Sequence, residues 1–267
     1  MTATKTHIDN QLSGLLKPRK ASQTPLGLQT ILIFGEPGSG KTSIAAAFPN
    51  HLYLDLENSA TAHDIDELTV STWTEFTSFV NDVANGTIEL GDKQTLIIDT
   101  INDLWKLCRA AAFTELKIKD ASEGDYGAGF LKPRKMFEDT INQLLSLSKR
   151  GIMGTVFIAH EEMFDTTAGN VKVKTARPAI DDKALPMFIS GKPQMVLRTI
   201  KTDVHPRTSV PFTEPDENGV PRSSLKWLIQ AVPEVAGAST KDRTGRLPAF
   251  FGATYKNLEA QYKKGAK

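Results

Sequence analysis

Residues 35–42, Gly35-Glu36-Pro37-Gly38-Ser39-Gly40-Lys41-Thr42, satisfy the pattern G-x-x-x-x-G-K-[ST] at every position. The run before them, 30–34 (TILIF), is apolar and β-branched and reads as a buried parallel strand, while residues 41–48 read as a helix that Pro49 ends. Strand, glycine-rich turn and helix in that order curl the backbone so that N–H groups converge on one point at a helix N-terminus, which suits a phosphate. Gly35 and Gly40 permit the curl, and Glu36, Pro37, Gly38 and Ser39 form it. Lys41 is expected to reach the β- and γ-phosphates, the Thr42 hydroxyl to hold Mg²⁺, and Ser43 to follow in the first helical turn. The expected ligands are ATP and Mg²⁺.

Downstream, strands and helices alternate. Residues 51–56 (HLYLDL) read as a second strand, and 73–84 as a helix with apolar residues at 73, 76, 79, 80 and 83 and a stop at Gly86. Residues 95–98 (TLII) read as a third strand that delivers Asp99 at its C-terminal end, where a carboxylate can hold Mg²⁺ beside the phosphate loop. Residues 104–118 read as a helix, 120–131 as a glycine-rich loop, and 133–150 as a helix with Pro133 in its first turn. Residues 152–159 (IMGTVFIA) read as a fourth strand. This alternation predicts an α/β core with a mostly parallel twisted sheet flanked by helices. After His160 the chain changes to short runs split by turn signals at 168–170 and 215–219, which predict β-hairpins. The expected organisation is a flexible arm at 1–27, a core at 28–250 that is β-rich from about 161, and a basic tail at 251–267.

The 267 residues are 40% apolar and 24% charged, with 32 Lys and Arg against 31 Asp and Glu. A balance of +1 excludes a polycationic DNA coat and an acidic disordered chain. It hides a segregation: residues 49–103 hold eleven acids and one base, Lys93, and residues 241–267 hold seven bases and two acids. A single cysteine, Cys108, rules out an intrachain disulfide and fits a reducing cytoplasm. No apolar run approaches the roughly 20 residues that span a bilayer, so a cytoplasmic protein without a membrane partner is expected.

The order of phosphate loop, LYLDLEN, LIIDT and TVFIAH resembles the RecA-type ATPase core. That resemblance implies that Glu57, ending the strand after the loop's helix, activates the attacking water, with Asp55 as the alternative acid. It implies that His160, ending the strand after Asp99, senses the γ-phosphate. More closely, DYGAGFLKPRK, FIAHEE, RPAI and KDRTGRLP resemble the phage Sak-type single-strand annealing recombinases, over roughly residues 28–250. The function implied is an ATPase, stimulated by DNA, that binds single-stranded DNA and promotes annealing or pairing in homologous recombination. The alternatives are a motor or helicase-loader ATPase, or a nucleotide-controlled scaffold. A homo-oligomer, ring or filament, is implied, as is a single-strand DNA-binding protein as partner.

Two segments match the loops that such cores turn toward DNA, 120–135 and 161–177. The first offers Tyr126, Phe130, Lys132, Arg134 and Lys135, aromatics for stacking and bases for phosphate. The second offers Lys172, Lys174 and Arg177, and the alternation Val-Lys-Val-Lys sets both lysines on one strand face. For the base that one protomer extends to its neighbour's nucleotide, the candidates are Arg198, Lys201, Arg243 and Arg246.

Overall fold

The central parallel strands leave their C-terminal ends along one edge, and that edge carries the chemistry. The structure, a computed structural model, describes residues 24–168, 171–233 and 239–265. The expected arm therefore lies outside the described residues up to position 23. In chain order the elements are β1 (Thr30–Gly35), α1 (Lys41–Ala46), β2 (His51–Asp55), α2 (Trp73–Asn85), β3 (Thr95–Asp99), α3 (Ile101–Leu116) and α4 (Ala128–Lys149). There follow β4 (Gly154–Ala168), β5 (Val171–Pro178), α5 (Leu185–Gly191), β6 (Met195–Thr202), β7 (Thr213–Pro215), β8 (Pro221–Ser223), β9 (Lys226–Gln230), β10 (Lys241–Asp242), β11 (Phe250–Gly252) and α6 (Tyr255–Lys264).

The main sheet runs β11-β9-β6-β1-β4-β3-β2. Its β6-β1-β4-β3-β2 part is parallel, and β9 and β11 extend it antiparallel beyond β6. The expected α/β class with a mostly parallel sheet and flanking helices is therefore what is observed, and the hairpins follow it: β5 folds back on β4, and β8 on β7.

Side-chain alternation along the strands builds two cores. Leu32, Phe34, Leu96, Ile98, Phe157 and Val196 face α2, α3 and α4, where Trp73, Trp105 and Phe137 pack ring against ring. Ile31, Ile33, Ile97, Val156, Ile158 and Leu197 face the other way, against Ile44 of α1 and Leu258 of α6. Local signals fix the helix starts. Thr72 and Glu75 form a reciprocal capping box on α2, and the Thr100 side chain accepts from the Asp103 N–H at the start of α3.

Three sequence expectations shift. The helix expected to open at Pro133 begins at Ala128, so Phe130, Lys132, Arg134 and Lys135 are helical and only Tyr126 of that group lies in the loop. The reason is local: Gly127 at φ 77° caps the helix, and Gly129 packs so closely on Ala121 that a Cβ would stand 2.2 Å from its carbonyl oxygen. The fourth strand does not stop near His160 but continues to Ala168 as one arm of the hairpin. The expected basic tail is folded through Gly265: Thr254 caps α6, and Leu258 and Tyr262, four apart, bury against the core while Lys263 and Lys264 end the helix. Two apolar residues among many polar ones are a faint pattern in sequence.

Gly154 opens β4 where the chain passes Gly27 and Leu28, and a Cβ there would lie 2.1 Å from the Gly27 carbonyl oxygen. Backbone cannot rotate away as a side chain can. Gly154→Ala is expected to cost about 1–3 kcal/mol of stability, read as a lower urea midpoint at unchanged m.

Candidate nucleotide-phosphate site

The loop at 35–42 leaves β1 at Gly35 and enters α1 at Lys41. Gly38 and Gly40 take positive φ, 71° and 90°, as the curl requires. Gly35 is needed for a second reason: a Cβ there would meet Thr199 Oγ1 at 2.3 Å and the Thr199 carbonyl oxygen at 2.4 Å. Ser39 is buried, and its Oγ donates to the Glu36 carbonyl at 2.7 Å and lies 2.6 Å from Thr199 Oγ1. Lys41 turns back into the loop, and its Nζ donates to the carbonyls of Gly35 (3.0 Å) and Glu36 (2.9 Å). Burial pulls this ammonium below the usual lysine range, and the negative field of Asp99, Glu57, Glu161 and Glu36 opposes that pull. Glu36 and Pro37 are exposed on the outer side of the turn, and Ser43 is exposed one turn along.

Asp99 is 1% exposed at the end of β3, with β4 standing between that strand and β1. Its Oδ2 accepts three hydroxyls: Tyr53 at 2.7 Å, Ser59 at 2.8 Å and Thr42 at 3.0 Å. Burial raises its pKa, and the three hydrogen bonds work against that rise. Thr42 Oγ1 and Asp99 Oδ2 are hard oxygen donors in contact at the mouth of the loop. That donor set fits Mg²⁺, which keeps most of its shell as water and phosphate oxygen and takes one or two protein oxygens.

Asp55 and Glu57, left as alternatives by the sequence, have different surroundings. Both Asp55 oxygens accept backbone N–H groups, from Ser59 at 3.0 Å and Ala60 at 2.9 Å, so this carboxylate holds the loop after β2. Glu57 points the other way, and its Oε1 lies 2.8 Å from His160 Nε2. Both side chains of that pair are a little over one-third exposed, at 38% and 37%. Lys41, Thr42, Asp99, Glu57 and His160 thus stand at one sheet edge, as the parallel register requires. Asp103, by contrast, serves the α3 cap through Thr100 and pairs with Lys106.

The candidate DNA contacts are not all alike. Tyr126 is fully exposed and Phe130 is 48% exposed. Lys172 and Lys174 are exposed together on β5. The other bases are engaged within the chain: Lys132 with Glu115, Arg134 with Asp182, Lys135 with Asp139, and Arg177 with Glu162 while it stacks on Phe164. The candidates for a neighbour's nucleotide also have partners of their own. Arg198 grips Glu161 through two nitrogens, Arg243 donates to the Gly191 carbonyl, Lys201 lies over the Trp227 ring, and Arg246 lies over Tyr262.

Sequence reasoning missed four contributors: Tyr53, Ser59, Thr199 and Trp227. The first three are hydroxyls that reach Asp99 or Ser39 through strand register, for Tyr53 and Thr199, or through the turn after β2 that Asp55 holds, for Ser59, and an alternating strand such as HLYLD gives no sign of which hydroxyl faces a carboxylate. Trp227 donates its indole N–H to the Gly38 carbonyl at 3.2 Å. An aromatic flanked by turn signals and charged residues was the available clue.

The AAA_24 family, described as an AAA domain, matches residues 28–208, about two-thirds of the chain. No curated protein matches it. The matched segment contains β1 to β6 and so the phosphate loop, Asp99, Glu57 and His160.

Tyr53 is fully buried, and the negative charge of Asp99 adds to burial in holding its hydroxyl protonated. Tyr53→Phe removes one of three donors from Asp99 Oδ2 without changing ring volume. The expected loss is about 1–3 kcal/mol of unfolding free energy, measured by urea titration.

Proposed function

The chain belongs to the AAA_24 family of AAA-domain proteins, and from that premise we propose that this P-loop ATPase works on single-stranded DNA, coupling ATP hydrolysis to strand annealing or pairing in homologous recombination. The observation that carries the ATPase part is the contact of Thr42 with Asp99 at the mouth of the loop, with Glu57 held beside it by His160. Mg²⁺ held by Thr42 and Asp99 would neutralise charge on the phosphates and polarise the one transferred. Lys41 gives up its two loop carbonyls for β- and γ-phosphate oxygens, and its burial makes that charge count for more than in water. Glu57 accepts the proton of the attacking water. His160 holds Glu57 until the γ-phosphate competes for the imidazole, which frees the carboxylate.

The DNA part is supported by how the chain leaves this edge. β4 runs eight residues past His160 before the hairpin turns, roughly 26 Å of strand, and carries Lys172 and Lys174 on its partner β5. α3 starts directly after Asp99, and the loop beyond it exposes Tyr126. The two projections are braced together, since Asp181 and Asp182, just past β5, hold Arg109 of α3 and Arg134 of α4. A change at the γ-phosphate therefore has a continuous route to both, along β4 and along α3. Assembly into a homo-oligomer belongs to the same proposal.

Lys41→Ala is expected to abolish hydrolysis. Glu57→Gln is expected to bind ATP but turn it over about 10²–10⁴ times more slowly, as loss of a general base does. Asp55→Asn instead should lower stability with a smaller effect on turnover. Phosphate release assayed with each variant checks all three.

Single-stranded DNA is expected to stimulate turnover, and complementary strands to anneal without directional unwinding; unwinding instead would favour a motor. Neutralising Lys172 and Lys174 together should reduce the slope of log K against log salt by about 1.4, or about 0.7 per lost phosphate contact.

A further inference from the structure

Trp227 stands on β9, outside the segment that matches the family, yet it touches the phosphate loop. Register explains how. Trp227 lies opposite Lys201, and Ile229 opposite Thr199, so these four share one sheet face, the one that carries α1. Ile229 is buried in the core on that face and anchors the strand. Thr199 Oγ1 meets Ser39 Oγ at 2.6 Å, and Trp227 Nε1 meets the Gly38 carbonyl at 3.2 Å. Two adjacent residues of the loop are therefore held from two adjacent strands, β6 and β9.

The second hold is the informative one. Gly38 is at φ 71°, and a Cβ built on it would meet nothing within 4 Å beyond its chain neighbours, so this turn residue has no side-chain anchor of its own. That peptide is planar: its carbonyl faces the indole, and its N–H, that of Ser39, faces the Glu36 carbonyl at 3.3 Å. The indole N–H and the Glu36 carbonyl therefore hold this one loop peptide from its two sides. The Lys201 ammonium rests 5.4 Å from the centroid of the same ring, so the indole also carries a cation to the rim of the loop.

We propose that Trp227 is a positioning residue of the phosphate loop: it sets the Gly38–Ser39 peptide for a nucleoside polyphosphate, and its surroundings change when one binds. The proposal rests on the reading of residues 35–42 as that loop. It makes the antiparallel strands beyond β6 part of the nucleotide site, so that loop state is felt at that edge of the sheet.

Fluorescence of the full chain tests it directly. Of the three tryptophans, Trp73 and Trp105 are 5% and 2% exposed and Trp227 is 43% exposed, so an aqueous quencher such as acrylamide reads mainly Trp227. Saturating Mg·ADP is expected to shift the emission and alter quenching, whereas adenosine, which has no phosphate, is expected to do neither. Trp227→Phe keeps a ring for Lys201 and loses the donor. It should abolish the ADP-dependent change and raise KM for ATP about three- to tenfold, the worth of one neutral hydrogen bond, with kcat within about twofold. Trp227→Ala should raise KM further.

An unmoved emission and quenching response to ADP in a chain that hydrolyses ATP overturns the proposal without any variant, and so does an unchanged KM in Trp227→Phe. Lys41→Ala run in parallel separates the premises. Persistent hydrolysis in that variant would refute the loop assignment itself, whereas a dead Lys41→Ala beside an ordinary Trp227→Phe would remove only the role given to Trp227.

Discussion

One carboxylate oxygen ties the site together. Asp99 Oδ2 takes hydroxyls from Thr42 on the phosphate-loop helix, from Ser59 on the loop after β2, and from Tyr53 within β2. An ionised acid that is 1% exposed would be costly without such partners. The three donors offset that cost, and they also locate three separate segments on one atom. Ser59 in turn is held by Asp55 through its backbone N–H, so the segment that carries Glu57 between them is fixed at both ends. The position of Glu57 is thus a consequence of how Asp99 is satisfied.

The sheet supplies the rest of the geometry. Asp99 pairs in register with Asp55 on one side and with Ile158 on the other, so His160, two residues further along β4, reaches beyond it toward Glu57. Gly35 pairs with both His160 and Thr199, which sets the phosphate loop between the β4 and β6 ends. The lysine of the loop then sits within the field of four carboxylates, which opposes the desolvation of its buried ammonium. The acidic stretch at 49–103 accordingly serves two ends: Asp99 and Glu57 act on the loop, and Asp55 acts on the segment between them. Others of its acids are spent on the surface, as where Asp66 holds Lys93, the one base in that stretch.

The phosphate loop, four of the five parallel strands and the hairpins were legible in the sequence because each rests on chemistry within a few residues: glycine at the curl, β-branched runs, turn residues at fixed offsets. The fifth parallel strand, β6 beside β1, lies in the part of the chain read only as hairpins. Most strand ends moved by one or two residues, but β4 runs nine residues beyond its expected end as one arm of the hairpin, and α4 starts five residues early because Gly127 and Gly129 outweigh the usual placement of Pro133. The order of strands, the three hydroxyls on Asp99 and the bond from Trp227 to Gly38 were not legible. They depend on which strands become neighbours, with 189 positions separating the last pair. The choice between Asp55 and Glu57 is of the same kind, since both acids end the same strand and only the direction of the backbone N–H groups around them distinguishes their surroundings.

Charge shows why counting bases misleads. Residues 120–135 and 161–177 looked like two basic loops, yet Lys132, Arg134, Lys135 and Arg177 each meet an acid, and Arg134 and Arg177 do so from partly buried positions. Surface pairs of this kind are individually weak, about 0–1 kcal/mol, so Lys132 and Lys135 can be redirected to a phosphate at little cost. Arg134 is different, because its partner Asp182 is only 7% exposed and also accepts the N–H groups of Ala184 and Leu185. Pulling Arg134 away would leave a nearly buried carboxylate without its cation and loosen the brace between α4 and the base of the hairpin. On the proposed reading, then, DNA is met by the lysines of β5 and the exposed Tyr126, with Lys132 and Lys135 recruited as needed. Arg134 ties α4 to the segment after β5 through Asp182, and on that same reading one nucleotide site would govern both projections.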